Sequence, residues 1–260
     1  CGNVGLMSSM LDRLRRLQSL REARPRDAED PAVERPAAPT LARTRSRFPV
    51  EQAAPGEEIA NTAGACYVSA FAYPLALQRG AGPLGALLDL QPKTLAPFHP
   101  NFGLDGIEAF SNAAFIDTET TGLGGGAGVY CFMVGVGTFE ALDAPPDQGP
   151  LPLAGAVATA EHTPPERDAP THFVVRQYFM RSPAEEQALL TALSRQLERH
   201  DIAVTFNGRS FDLPLLRNRI RYNLRFLPDF ARGVPLLHER APHLDLLMPA
   251  RRLWKRRLQS

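Results

Sequence analysis

Short apolar runs separated by polar or glycine-rich segments dominate the second half of the chain, and they predict buried strands. Residues 113–116 form one such run, residues 129–137 a second and residues 172–179 a third, all rich in β-branched or aromatic side chains. A fourth run lies at residues 201–206. The pattern therefore predicts a sheet whose strands are well separated along the sequence.

Two helices are predicted on either side of the fourth strand. Ser182, Pro183 and Glu185 have the spacing of a capping box, with Ser182 as the N-cap, and leucines recur at helical spacing after them. Residues 213–223 predict the second helix, with Pro214 in its first turn. Three strands, a helix, a strand and a helix predict an α/β fold with a mixed sheet.

The sequence outside these elements is less regular. Residues 1–47 begin with a basic amphipathic helix, which could bind an acidic partner, and continue as a disordered linker, so a poorly ordered N-terminal extension is expected. Residues 48–110 form a small section with strand character at residues 65–74. Residues 143–170 are proline-rich and predict an extended insertion.

Composition limits the possible functions. The net charge of the 260 residues is +1, so any surface that attracts nucleic acid must be local. No apolar run approaches the roughly 18 residues of a membrane span, and no membrane partner is predicted. The three cysteines are far apart and lack metal-type spacing, which favours a reducing cytoplasm.

Carboxylates at the predicted strand ends are the main candidates for chemistry. Asp117 and Glu119 lie two positions apart on the first strand, so they share one face. Asp212 follows the strand at residues 201–206 by one short turn and reaches the same sheet edge if the two strands are neighbours. Three converging carboxylates would suit Mg²⁺ or Mn²⁺. Taken alone, Asp212 is more often a helix-capping acid.

A glycine-rich stretch offers a competing interpretation. Residues 122–127 satisfy the G-x-G-x-x-A pattern of dinucleotide-binding oxidoreductases, with Glu140 near the position of a ribose-binding acid. That pattern requires a helix beginning at the glycines, whereas residues 129–137 predict a strand. The oxidoreductase is therefore the least favoured alternative.

Three segments, in this order, resemble a known family. FIDTETTGL (residues 115–123) resembles the first motif of the DEDD (DnaQ-like) 3′–5′ exonuclease superfamily, and TFNGRSFDLPLL (residues 205–216) resembles the second. With HLDLLMPARRLWKRRL (residues 243–258), the run is similar to the YprB-type ribonuclease H-like domain. The resemblance implies an RNase H-like domain over residues 111–260, with a mixed sheet flanked by helices.

The resemblance also implies a function and a set of site residues. It implies a nuclease that hydrolyses phosphodiester bonds of DNA or RNA from the 3′ end with two divalent ions, Mg²⁺ or Mn²⁺. Asp117, Glu119 and Asp212 would be the catalytic metal ligands. Contacts to nucleic acid are implied for Thr121, Gly122, Leu123, Asn207 and Arg209.

One part of the family pattern is missing. The third motif places a His or Tyr four residues before the last Asp, and none of the six histidines or five tyrosines has Asp at that spacing. His243 precedes Asp245 by only two residues, which matches an earlier family segment. The expectation is a domain truncated before its third motif and weakly active or inactive. The alternative is a nucleic-acid-binding module that keeps the fold without cleavage.

The basic residues 251–257 have two interpretations. They could follow a phosphate backbone while Trp254 stacks on a base. Alternatively, they form an amphipathic helix with Leu253 and Trp254 packed inward and the arginines in water.

Overall fold

The computed structural model describes residues 50–98, 103–122, 128–143, 150–153, 169–223 and 234–254. Several predictions lie outside these ranges: the helix and linker at residues 1–47, Leu123, the glycines at 124–126, most of the proline-rich insertion and the basic residues at 255–257.

Within the described residues, ten strands form one large sheet and one small one. The strands are β1 (Glu57–Asn61), β2 (Gly64–Pro74), β3 (Gln78–Arg79), β4 (Gly82–Pro83), β5 (Ala113–Thr120), β6 (Cys131–Glu140), β7 (Leu151–Pro152), β8 (His172–Phe179), β9 (Ile202–Thr205) and β10 (His243–Asp245). The large sheet has the order β1-β2-β8-β6-β5-β9-β10, with β7 paired to β2, and β3 pairs with β4.

Four α-helices and five 3₁₀ segments complete the described part of the chain. The α-helices are α1 (Val50–Ala53), α2 (Glu186–Leu197), α3 (Asp212–Asn223) and α4 (Leu247–Trp254). The 3₁₀ segments are Leu84–Leu87, Pro92–Phe98, Phe110–Asn112, Pro183–Glu185 and Pro235–Leu237. In the described ranges, no helix combines the length and apolar character needed to cross a membrane.

The large sheet is mixed, as predicted. Strands β1, β2, β8, β6 and β5 pair antiparallel, whereas β9 is parallel to β5 and β10 is parallel to β9. Helix α2 connects β8 to β9. Helix α3 follows β9 on the way to β10, and the parallel pairing of these two strands needs such a crossover connection. Helices flank the sheet, which confirms the predicted fold class.

Each face of the sheet carries its own apolar core. On one face, here called the helix face, Ala114 and Ile116 of β5 pack with leucines of α2 and α3. On the opposite face, here called the aromatic face, the rings of Phe115, Phe139 and Phe173 meet edge to face, with centroids 5.0–6.0 Å apart. Alternation along β5 thus assigns even-numbered residues to the helix face and odd-numbered residues to the aromatic face.

The start of α2 differs from the predicted capping box. The Ser182 side chain makes no capping hydrogen bond, and a 3₁₀ turn over Pro183–Glu185 precedes the α-helix. Glu185 instead accepts hydrogen bonds from the backbone N–H of Arg181 at 2.8 Å and from its Nε at 2.9 Å. Glu185 therefore binds Arg181, the residue before the predicted N-cap, and not the backbone N–H of Ser182.

The section at residues 48–110 supplies strands to the same large sheet. Strand β2 pairs with β8 over eight residues, from Tyr67 opposite Phe179 to Pro74 opposite His172. Its strand character at residues 65–74 corresponds to β2.

Candidate active site

An exposed acidic pair lies at the carboxyl end of β5. Asp117 and Glu119 are exposed and fall on the aromatic face, while Thr118 between them is buried on the helix face. In the described part of the chain, no ion pair involves either carboxylate. A register shift between Glu119 and Thr120 ends the regular pairing with β6. The pair therefore lies open to solvent where the strand stops.

The strand that carries the second motif is the neighbour of β5. Ala113 pairs with Ile202 and Phe115 with Val204, in parallel. The carboxyl ends of parallel strands meet at one edge, so the segment after β9 leaves the sheet beside the acidic pair. The sequence placed Asp212 at the same sheet edge as Asp117 and Glu119 on the condition that these two strands are neighbours, and they are.

Asp212 approaches this edge from the helix face. It is the first residue of α3 and only 4% exposed. The Thr118 hydroxyl donates a 2.5 Å hydrogen bond to Asp212 Oδ1. Burial raises the pKa of Asp212, the Thr118 hydrogen bond opposes this, and the negative charge of Asp117 raises it further. Asp212 and Asp117 are thus electrostatically coupled across the sheet edge.

The donor types fit a hard divalent cation, but the three carboxylates are not gathered into one ligand group. Among the described residues, no cluster of three or more His, Cys, Asp or Glu side chains is placed to hold a metal ion. The reason is the alternation of β5, which turns Asp117 and Glu119 to one face while Thr118 holds Asp212 at the other. A cation near this edge would offset the repulsion between Asp117 and Asp212.

The turn between β9 and Asp212 is fixed by a carboxylate that the sequence analysis did not assign to the site. Asp245 of β10 is 1% exposed. Its Oδ1 accepts from the backbone N–H of Asn207 at 2.7 Å and of Leu247 at 3.1 Å, and its Oδ2 accepts from that of Arg209 at 3.0 Å. Asp245 therefore ties the end of β10 to the turn that leads into Asp212.

This turn has a constrained backbone. Asn207 has a φ of +67°, a left-handed conformation that asparagine adopts more readily than most residues. A Cβ added to Gly208 would lie 2.5 Å from the Cβ of Thr205, so glycine is required by close approach. The Gly208 N–H also donates to the Thr205 hydroxyl at 3.2 Å. Together these contacts hold the turn tightly against β9.

A buried histidine contacts Thr205, the residue of β9 against which the same turn packs. His243 Nε2 lies 2.8 Å from the Thr205 hydroxyl. Burial lowers the pKa of His243 to about 4, and the positive charge of Arg209 contributes in the same direction. His243 is therefore neutral at pH 7, and its place is structural.

The residues implied to contact nucleic acid have different positions. Thr121 accepts from the Tyr130 N–H at 3.0 Å, and the carbonyl of Gly122 accepts from Thr120 at 2.9 Å, so both shape the exit from β5. Asn207 is exposed and Arg209 half-buried, both in the turn after β9. Leu123 lies outside the described residues.

Two further sequence interpretations can be compared with the structure. The interpretation that packed Leu253 and Trp254 inward is wrong, because they are 60% and 48% exposed, and Pro249 and Ala250 are the buried residues of α4.

After the glycine-rich stretch, Cys131–Glu140 forms a strand. A dinucleotide site would require a helix there, so the structure disfavours the oxidoreductase.

Comparison with known proteins agrees with this fold. The sequence model of the RNase_H superfamily matches residues 165–260, which contain α3 and Asp212. Together with the mixed sheet and flanking helices, the match defines the class: the chain contains a domain of RNase H-like fold.

A relative is similar over a longer stretch. The uncharacterized protein YprB of Bacillus subtilis (strain 168) is 32% identical over 151 residues, which cover 57% of this chain and 27% of that protein. The chain thus spans about a quarter of the relative's length. No solved structure gives a significant match.

Proposed function

We propose that this domain is a divalent-metal-dependent nuclease that removes nucleotides from the 3′ end of DNA or RNA. The observation that carries the proposal is the exposed pair Asp117 and Glu119 at the end of β5, beside the turn that delivers Asp212. An RNase H-like fold with acids at this edge favours nuclease-type chemistry on nucleic acid.

Asp117, Glu119 and Asp212 would hold the metal, Mg²⁺ or Mn²⁺. When bound, divalent ions polarise a scissile phosphate and stabilise the leaving oxygen. The acidic pair is accessible from solvent without rearrangement. Asp212 would exchange its hydrogen bond from Thr118 for a ligand role, which the nearby negative charge of Asp117 favours because a cation between the two carboxylates offsets their repulsion.

The chain's own residues would orient the substrate. Thr121 and Gly122 form the exit from β5, and Asn207 and Arg209 form the turn beside it, so all four border the acidic edge. Leu123 remains a prediction from the family motif. The fourth ligand and the general base implied by the resemblance have no match in the 260 residues.

The test is cleavage of end-labelled oligonucleotides in the presence of Mn²⁺. We expect progressive shortening from the 3′ end by the wild type, and loss of at least two orders of magnitude in rate for Asp117→Asn. Asp105→Asn is the matched control, because Asp105 is exposed on the loop before β5, away from the carboxyl ends of the strands. Equal cleavage by the wild type and Asp117→Asn would refute the proposal.

A second function is favoured by one observation. Because the described carboxylates do not form a three-ligand group, the domain as folded could bind nucleic acid without cleaving it. Salt-sensitive binding with no metal-dependent turnover would identify this non-cleaving module.

We also propose a reducing compartment such as the cytoplasm, because Cys66 and Cys131 are buried free thiols. Fractionation of cells that express the protein checks this location.

A further inference from the structure

A large aromatic side chain stands exposed beside the acidic pair. Phe206, the residue immediately after β9, is 61% exposed. Single exposed apolar residues are common on protein surfaces, so exposure alone means little. What distinguishes Phe206 is its position relative to the candidate site.

Strand register assigns Phe206 to the same face as the acids. Phe115 pairs with Val204, and both belong to the aromatic face. Pairing between the two strands ends there, and β9 ends at Thr205; continuing the same register by two residues assigns Asp117 and Phe206 to corresponding positions on that face. The ring therefore neighbours the acidic pair, and Asp212 lies on the opposite face.

A second exposed apolar side chain extends this surface. Leu244 of β10 pairs with Val204 and belongs to the same aromatic face. Leu246, two residues on, is 37% exposed, and its N–H donates to the carbonyl of Thr205, the residue before Phe206. The order across the sheet edge is carboxylate, aromatic ring and aliphatic side chain.

The backbone around Phe206 is held on both sides. The Leu246 N–H donates to the carbonyl of Thr205 at 2.8 Å, which continues the strand pairing up to Phe206. After Phe206 in the sequence, the N–H of Asn207 donates to Asp245. The ring is thus presented from a fixed backbone, and little ordering is required on binding.

We propose that Phe206, with Leu246 beside it, is a stacking platform for a nucleobase of the substrate. The inference rests on the proposed function and adds a binding surface to it. A base has an apolar face that stacks on a phenyl ring, while its phosphate can reach the neighbouring carboxylates through a cation. Phe206 has no polar atom with which to read base edges, so the platform accepts all four bases with little preference.

The test compares base-containing and abasic oligonucleotides of equal length and charge. Binding of single strands is measured with the full 260-residue chain in an Asp117→Asn background, so that the substrate is not consumed. We expect Phe206→Ala to weaken binding of the base-containing strand about tenfold and to leave binding of the abasic strand unchanged. Tyr222→Ala is the control, because Tyr222 is similarly exposed but lies at the far end of α3.

A second variant reports stacking directly. Phe206→Trp combined with Trp254→Phe leaves one tryptophan, because the chain has a single native tryptophan. Its fluorescence should be quenched by the base-containing strand and not by the abasic strand.

Each outcome decides the inference. A Phe206→Ala effect confined to the base-containing strand supports the platform. An equal effect on both strands, or no effect, overturns the platform while the cleavage assay still stands for the nuclease. If the parent binds neither strand while the wild type cleaves its substrate, the platform fails and the nuclease stands; if the wild type also fails to cleave, the proposed function fails as well.

Discussion

Replacing Asp245 by asparagine should destabilise the whole domain although the new side chain has the same shape. Asp245 is 1% exposed and accepts three backbone N–H groups, two on Oδ1 and one on Oδ2. An asparagine keeps one acceptor oxygen. Its NH₂ group would face the N–H of Arg209, and two donors cannot bond to each other.

The expected loss follows from these hydrogen bonds. A hydrogen bond to a charged group contributes about 1.5–3 kcal/mol, and one of the three is lost outright. The other two lose their charge assistance, which weakens each of them further. We therefore expect Asp245→Asn to cost about 2–4 kcal/mol, and Asp245→Ala at least as much, because all three part-buried N–H groups then lack this acceptor. Against a total of roughly 5–15 kcal/mol, this is a large loss.

Urea unfolding measures the effect. The midpoint concentration should fall for Asp245→Asn while the slope of the unfolding free energy against urea stays constant, because the surface exposed on unfolding is unchanged. Asp105→Asn removes an exposed carboxylate and should shift the unfolding free energy by less than about 0.5 kcal/mol. If the two variants unfold at the same midpoint, Asp245 does not hold the turn as described.

Two further changes test the electrostatics of the same region. Asp212→Asn should raise the unfolding midpoint at pH 7 while abolishing cleavage, because burial and the charge of Asp117 raise the pKa of Asp212 and disfavour its ionised form; a lower midpoint would contradict this account. His243 has a pKa lowered from 6.5 to about 4, so the unfolded state takes up its proton first and stability should fall by about 2–3 kcal/mol between pH 6.5 and pH 4. Urea titrations across this range should show a flatter pH dependence for His243→Gln than for the wild type, and parallel curves would exclude His243 as the cause.

Local sequence patterns predicted most of the elements that form the sheet. Residues 172–179 alternate between buried and half-buried positions, and β8 has these same bounds. The helix predicted from residue 213 begins at Asp212. These elements are predictable because alternation, helical spacing and proline placement act over a few residues. The predicted capping box does not form, because Glu185 binds Arg181, which lies before the box in the sequence.

The candidate site was only partly predictable, because it depends on contacts between distant segments. The sequence indicated that Asp117 and Glu119 share a face, which follows from their spacing alone. It could not indicate that Thr118 would bind Asp212, because that depends on the face from which the turn after β9 arrives. Asp245 was equally hidden, because most of its partners are backbone N–H groups of another strand's turn. The available signal was an acid at the end of a three-residue strand, between Leu244 and Leu246.

The dependence of the Asp212 turn on Asp245 also has a consequence for the order of synthesis. A ribosome releases Asp117 and Glu119 long before it releases β10, and Asp212 emerges between them. Until β10 has emerged and docked on β9, the N–H groups of Asn207 and Arg209 lack their buried acceptor. The growing chain therefore carries Asp117, Glu119 and Asp212 before it can fix the turn that leads to Asp212. That turn is fixed only when β10, the last strand among the described residues, is in place.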